Sequence, residues 1–126
     1  MVDIDLYKDM TSAERDVANY LNKLDLKWYY QHPVFLYDER NRPRVWTPDF
    51  FLPQLKIHIE VCGSKEFDYE YREQTYKSNE ISIIFLHQYK DKKEWQSWLR
   101  KEILEIEDAR HGEVMQIVKK IIGKSI

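Results

Sequence analysis

The segment Lys56-Ile57-His58-Ile59-Glu60-Val61-Cys62 alternates polar and apolar residues without exception and stops at Gly63. A period of two marks a half-buried β-strand, so Ile57, Ile59 and Val61 face a core while His58, Glu60 and Cys62 share the other side. Upstream, residues from about Arg44 to Leu52 read as a second strand. A two-residue turn at Gln54-Leu55 joins the two as a hairpin, and that register sets Asp49 directly opposite Glu60. The Cβ atoms of such a pair lie ~4.5–5.5 Å apart, where two carboxylates repel unless a cation or a shared proton sits between them. Oxygen ligands of this kind suit Mg²⁺ or Mn²⁺, which take one or two protein carboxylates and complete their shell with water and substrate phosphate. The pair therefore points to hard-metal phosphodiester chemistry.

The remaining elements follow from periodicity. Thr11-Ser12-Ala13-Glu14 has the spacing of a capping box, and Ala13, Val17, Tyr20, Leu21 and Leu24 continue as a buried helical stripe, giving a helix over about 12–25. Glu14 borders that stripe and has two readings: it bonds back to the Thr11 backbone, or it aims a third carboxylate inward. Trp28 to Tyr37 reads as a strand, and Asp38 to Pro43 as the turn that follows it. Phe67 to Asn79 has weak helical periodicity, and Ile81 to Leu86 is a buried-strand run. A crossover between them lays the last strand parallel to 56–62 and brings His87 near Cys62. Trp95, Trp98, Leu99, Ile103 and Ile106, then Val114, Ile117, Val118, Ile121 and Ile122 after Gly112, predict two C-terminal helices.

With 126 residues, 43% of them apolar, and only three Gly and four Pro, the chain has one core and no linker. The expectation is a single α/β domain over 1–126, with its core at about 12–88 and a helical extension at about 92–123. A net charge of −2 makes no demand for a polyanion at whole-chain level, so any nucleic-acid site is local. Arg40, Arg42 and Arg44 alternate at a hairpin tip, where they are placed to clamp backbone phosphates or to form an ordinary solvated turn. One cysteine permits no internal disulfide and no zinc cluster. No apolar run approaches a membrane span and the first residues lack a signal-peptide layout, so a cytoplasmic protein without membrane contact is expected.

Thr47-Pro48-Asp49-Phe50-Phe51, a hairpin, and Ile59-Glu60-Val61-Cys62-Gly63 together resemble the PD-(D/E)XK nuclease superfamily. The order of elements is similar to its αβββαβ core with a mixed sheet, over about residues 12–88. Small endonucleases related to very-short-patch repair and to transposon or restriction systems are the nearest in pattern. The resemblance implies a Mg²⁺ or Mn²⁺ ion held by Asp49, Glu60 and the Val61 carbonyl, with Glu14 reached through water. In that scheme the metal polarises the scissile phosphate and activates the attacking water, and DNA is cut to 5′-phosphate and 3′-hydroxyl ends. The superfamily has lysine two residues after the glutamate, and Cys62 stands there instead. A thiol offers a weak donor and no positive charge; Lys65 just past the strand, or Arg72 and Lys77 on the crossover helix, are the candidates to supply the cation instead. Gln31 resembles a polar position of the family's first strand, and His87 is placed to line the same cleft. Two other readings remain: a non-catalytic descendant that binds DNA or a protein partner, and a thiol-dependent enzyme centred on Cys62. The C-terminal helices offer a surface for a second copy or a partner protein.

Overall fold

The structure, a computed structural model, describes residues 6–63, 69–90 and 92–124. After a 3-10 turn at Leu6–Asp9, helix α1 spans Ser12–Lys23. The capping box forms in full: Glu14 N–H donates to Thr11 Oγ1 (3.1 Å) and Thr11 N–H to Glu14 Oε1 (2.9 Å). Two N–H groups at the helix start are thereby satisfied. At the far end Asp25 takes a left-handed φ of 62°, and Leu26 N–H returns to the Leu21 carbonyl (3.0 Å). That closure stops the helix two residues short of the sequence expectation.

Each long strand expected from the sequence is two. β1 spans Tyr29–Tyr30 and β2 Val34–Tyr37; β3 spans Pro43–Trp46 and β4 Phe50–Leu52. Gln31 adopts φ 54°, which a strand cannot accommodate, and Pro33 and Pro48 offer no N–H to a ladder. β2 and β3 form a separate two-stranded sheet, while β1 pairs with β4. The ladders nevertheless share one register, because residues 31–33 lie against 47–49 between the pairs Tyr30↔Phe50 and Val34↔Trp46.

β5, Ile57–Val61, pairs antiparallel with β4 through Phe50↔Ile59, Phe51↔His58 and Leu52↔Ile57, the expected register. The loop is longer than expected, running from Pro53 to Lys56, with Lys56 at φ 54° and its N–H on the Leu52 carbonyl (2.7 Å). Its centre is still Gln54-Leu55, so the pairing does not change. Helix α2, Tyr69–Ser78, crosses to β6, Ile83–Leu86, which runs parallel to β5. The main sheet is mixed, in the order β1-β4-β5-β6.

The two C-terminal helices expected from the sequence are one, α3, spanning Trp95–Lys124. Gly112 sits in its interior. A glycine costs a helix about 1 kcal/mol relative to alanine and, without a proline or a capping partner, does not end it.

One face of the main sheet packs Phe50, Leu52, Ile57, Ile59, Ile84 and Leu86 against Val17, Ala18 and Leu21 of α1 and Trp95, Leu99 and Ile103 of α3. The other face carries Cys62 and Phe85 against Tyr76 of α2 and Val34 and Leu36 of β2. α3 leaves the sheet at Arg110, which donates to the carbonyls of Leu55 and Lys56 (2.8 Å for the latter) and to Ser82 Oγ (2.9 Å). Beyond it Val114, Ile117, Ile121 and Ile122 are all more than half exposed. No helix among the described residues is long and apolar enough to cross a membrane.

Candidate active site

Alternation along β4 and β5 arranges side chains on the α2 face in cross-strand rows. One row is Tyr29, Phe51, His58 and Ile83. Two residues further along each strand, the same register sets Asp49 opposite Glu60, with Phe85 beside Glu60 on β6. Gln31 N–H donates to the Asp49 carbonyl (2.9 Å), fixing the backbone at the break. Asp49 Oδ2 accepts from Val61 N–H at 2.7 Å, which ties its carboxyl to β5.

Three carboxyl groups interact here. Burial pushes Asp49 up to about 7; the Val61 N–H opposes this, and the charges of Glu14 and Glu60 add to it. The Glu14 and Asp49 carboxyls share a hydrogen bond in which Asp49 holds the proton. Burial raises Glu14 too, but bonds from the Thr11 backbone and Tyr30 outweigh it and hold Glu14 below the ordinary range. Tyr30 donates to Glu14 Oε2 at 2.9 Å. Burial also raises Glu60, against the pull of Arg72. Glu60 Oε1 accepts from Arg72 at 2.8 Å, while Glu60 Oε2 is buried with no hydrogen-bond partner among the described residues.

The donor set fits a hard divalent cation. An unpartnered buried carboxylate oxygen and a neighbouring carboxyl that keeps its proton to about 7 are what a site of excess negative charge looks like without a cation. Among the described residues no three His, Cys, Asp or Glu side chains converge as a metal cluster. The set is therefore two acids, Asp49 and Glu60, with Glu14 joined to Asp49 rather than to a common point. Glu14 closes the capping box, the first sequence reading, and its carboxyl also interacts with that of Asp49.

Cys62 is 1% exposed, and its Sγ lies 3.7 Å from the Glu60 carbonyl. Burial, then the Glu60 charge, push the thiol up to about 12, which removes the thiolate a cysteine enzyme requires. Arg72 supplies the cation next to the carboxylates. Its guanidinium also lies over the Trp46 ring, 5.2 Å from the centroid. Lys77 does not join them: five residues on, it is turned about 140° around α2 and borders a hollow with Glu73, Glu80 and Ile106. Lys65 lies outside the described residues. His87 is half-buried beside Tyr89 (Nδ1 to hydroxyl, 3.3 Å) and Tyr69. With Lys90, Glu94, Trp95 and Trp98 it lines a largely apolar hollow of about 360 Å³, set apart from Glu14, Asp49 and Glu60.

At the hairpin tip, Asp38 accepts from the Nε atoms of Arg42 (3.1 Å) and Arg44 (3.0 Å) and from the backbone N–H groups of Arg40 and Arg42. Those bonds, the Arg42 backbone first, hold its carboxyl well below the usual range. Asp38 thus offsets part of the positive charge of Arg40, Arg42 and Arg44, whose side chains remain exposed. Gln31 presents its side chain to solvent from its left-handed position.

Sequence reasoning passed over Tyr30 and the row of rings. His32 and His58 flank Phe51 at centroid distances of 5.2 and 4.5 Å, and Tyr29 stacks on Phe51 at 6.5 Å. The strand phase alone contained the signal for Tyr29, Phe51 and His58; the approach of His32 depends on the turn at Gln31.

No protein-family model matches the chain, and no curated protein matches it. Among solved structures, the catalytic domain of the homing endonuclease I-Bth0305I is similar, at 20% identity and a TM-score of 0.49 over 76% of this chain and 97% of that one.

Proposed function

We propose that the chain is a metal-dependent DNA endonuclease or nickase in which Asp49 and Glu60 hold a Mg²⁺ or Mn²⁺ ion. The observation that carries this reading is Glu60 Oε2, buried and without a hydrogen-bond partner among the described residues, on the strand opposite a carboxyl that retains its proton to about 7. The Val61 backbone, already bonded to Asp49 through its N–H, contributes its carbonyl as a third oxygen. When bound, the cation supplies a Lewis acid for the scissile phosphate and lowers the pKa of a water.

The chain's own groups do the rest. Arg72, fixed by Glu60 and Trp46, presents positive charge to the phosphate in place of the lysine that PD-(D/E)XK proteins carry at the position of Cys62. Tyr30 and Thr11 keep Glu14 ionised beside Asp49, and the proton that Asp49 would give up on holding a cation would pass to solvent. Arg40, Arg42 and Arg44 bind the DNA backbone from the hairpin tip.

Cys62 in the lysine position and the Arg72–Glu60 pair equally favour a second reading, a non-catalytic protein that keeps the fold and binds DNA. Nicking of supercoiled plasmid with Mg²⁺ or Mn²⁺ separates the two. The enzyme reading expects nicking that falls at least ~10²-fold in Asp49→Ala and in Glu60→Ala, with calorimetric metal binding lost in both. Plasmid left intact under every metal condition, with a single-stranded oligonucleotide also left uncut, favours the non-catalytic reading.

A further inference from the structure

The row of rings beside the carboxylates has an inner end and an open one. His58 is packed inside the sheet, Phe51 is half-buried, and His32 and Tyr29 reach solvent, with Tyr29 56% exposed on the edge strand β1. Each ring is close to parallel with Phe51, His32 at 16°, Tyr29 at 19° and His58 at 27°, while Tyr29 and His32 meet at 5.7 Å with a tilt of 33°. The stack thus ends at two solvent-exposed rings, Tyr29 and His32. Along the strands it is displaced by two residues, roughly 7 Å, from Asp49 and Glu60. That is about the span from a nucleotide's phosphate to its base.

We propose that Tyr29 and His32 form a stacking shelf for one unpaired nucleobase of the nucleotide next to the scissile phosphate. The preferred substrate is then DNA with a single-stranded or unstacked base at the cut. A base within an intact duplex is stacked on both sides and offers no free face, whereas an unpaired one extends the Tyr29–Phe51 stack, and any base serves because each has a π-face. This inference rests on the nuclease reading only for the position of the phosphate.

The test uses the full chain in EDTA, so that no cleavage occurs, with a single-stranded oligonucleotide carrying 2-aminopurine. Fluorescence quenching reports stacking directly, and its titration gives the affinity. The expected result is quenching on binding, tighter binding to the single strand than to the matching duplex, and affinity lowered roughly 5- to 100-fold in Tyr29→Ala and His32→Ala. Tyr29→Phe retains wild-type affinity, because it keeps the ring. Both alanine sites are exposed, and thermal unfolding verifies that the variants are folded. Unquenched probe, or affinity unchanged in both alanine variants, overturns the shelf even if plasmid is nicked. Quenching that depends on Tyr29, in a protein that cuts nothing, leaves the shelf standing and removes only the nuclease reading.

Discussion

Asp49 holds its proton to about 7 in the fold and releases it near 3.8 when exposed. Folding therefore takes up a proton between those values, and stability falls as the pH rises from about 4 to 7. Asp49→Asn retains an acceptor for Val61 and a donor for Glu14 without the charge. In EDTA the variant should melt at the wild-type temperature near pH 4 and on the order of 5 °C above it beyond pH 7. Parallel melting curves across that range would refute the shift. Arg72 has the opposite role. Its side chain is 26% exposed and that of Glu60 12%, so Arg72→Ala leaves Glu60 largely buried without its partner. A loss of about 1–3 kcal/mol in urea unfolding is expected, less than for a fully enclosed pair, with part of it recovered in Arg72→Lys. The opposition of Asp49 and Glu60 was legible in the sequence because a hairpin's register depends only on where its loop is centred. The Arg72–Glu60 bond was not, since it depends on how α2 lies on the sheet.

At the scale of elements, strict alternation in β5 and the capping box at Thr11 were readable because each is a local pattern with one physical cause. The breaks at Gln31 and Pro48 were not: Gln31 takes its left-handed backbone from the tertiary turn, and aromatic residues continue across it. Gly112 misled for the complementary reason, being read as a boundary where helix continues. α3 is held to the sheet as far as Arg110, and the exposed stripe beyond adds little to the fold. A chain ending at Gly112 should keep its melting temperature within about 2 °C, whereas Arg110→Ala, which releases the Lys56 carbonyl and Ser82, should lose about 1–2 kcal/mol. Asn79 acts as a clamp: its amide accepts from Tyr37 N–H (2.9 Å) and donates to the Tyr37 carbonyl (2.8 Å), as a neighbouring strand would. In Asn79→Ala, hydrogen exchange should accelerate across β2 and β3 while β5 and β6 stay protected.

For the whole molecule, a cation bound at Asp49 and Glu60 should raise the melting temperature in proportion to the logarithm of its concentration, and the increment should vanish in Glu60→Ala. Below about pH 7 that increment should shrink, as Asp49 retains its proton and competes with the metal. The mixed sheet flanked by helices was legible from the order of strand and helix patterns; the second, smaller sheet was not, because nothing local separates β2 and β3 from the strands they extend. That separation has a mechanical result. The ribbon from Tyr29 to Leu52 bends between its two ladders without slipping, and the bend is pinned by the Gln31 N–H on the Asp49 carbonyl. With the Asn79 amide holding Tyr37, the arginine-bearing tip and the peptide of Asp49 are two ends of one hydrogen-bonded lever.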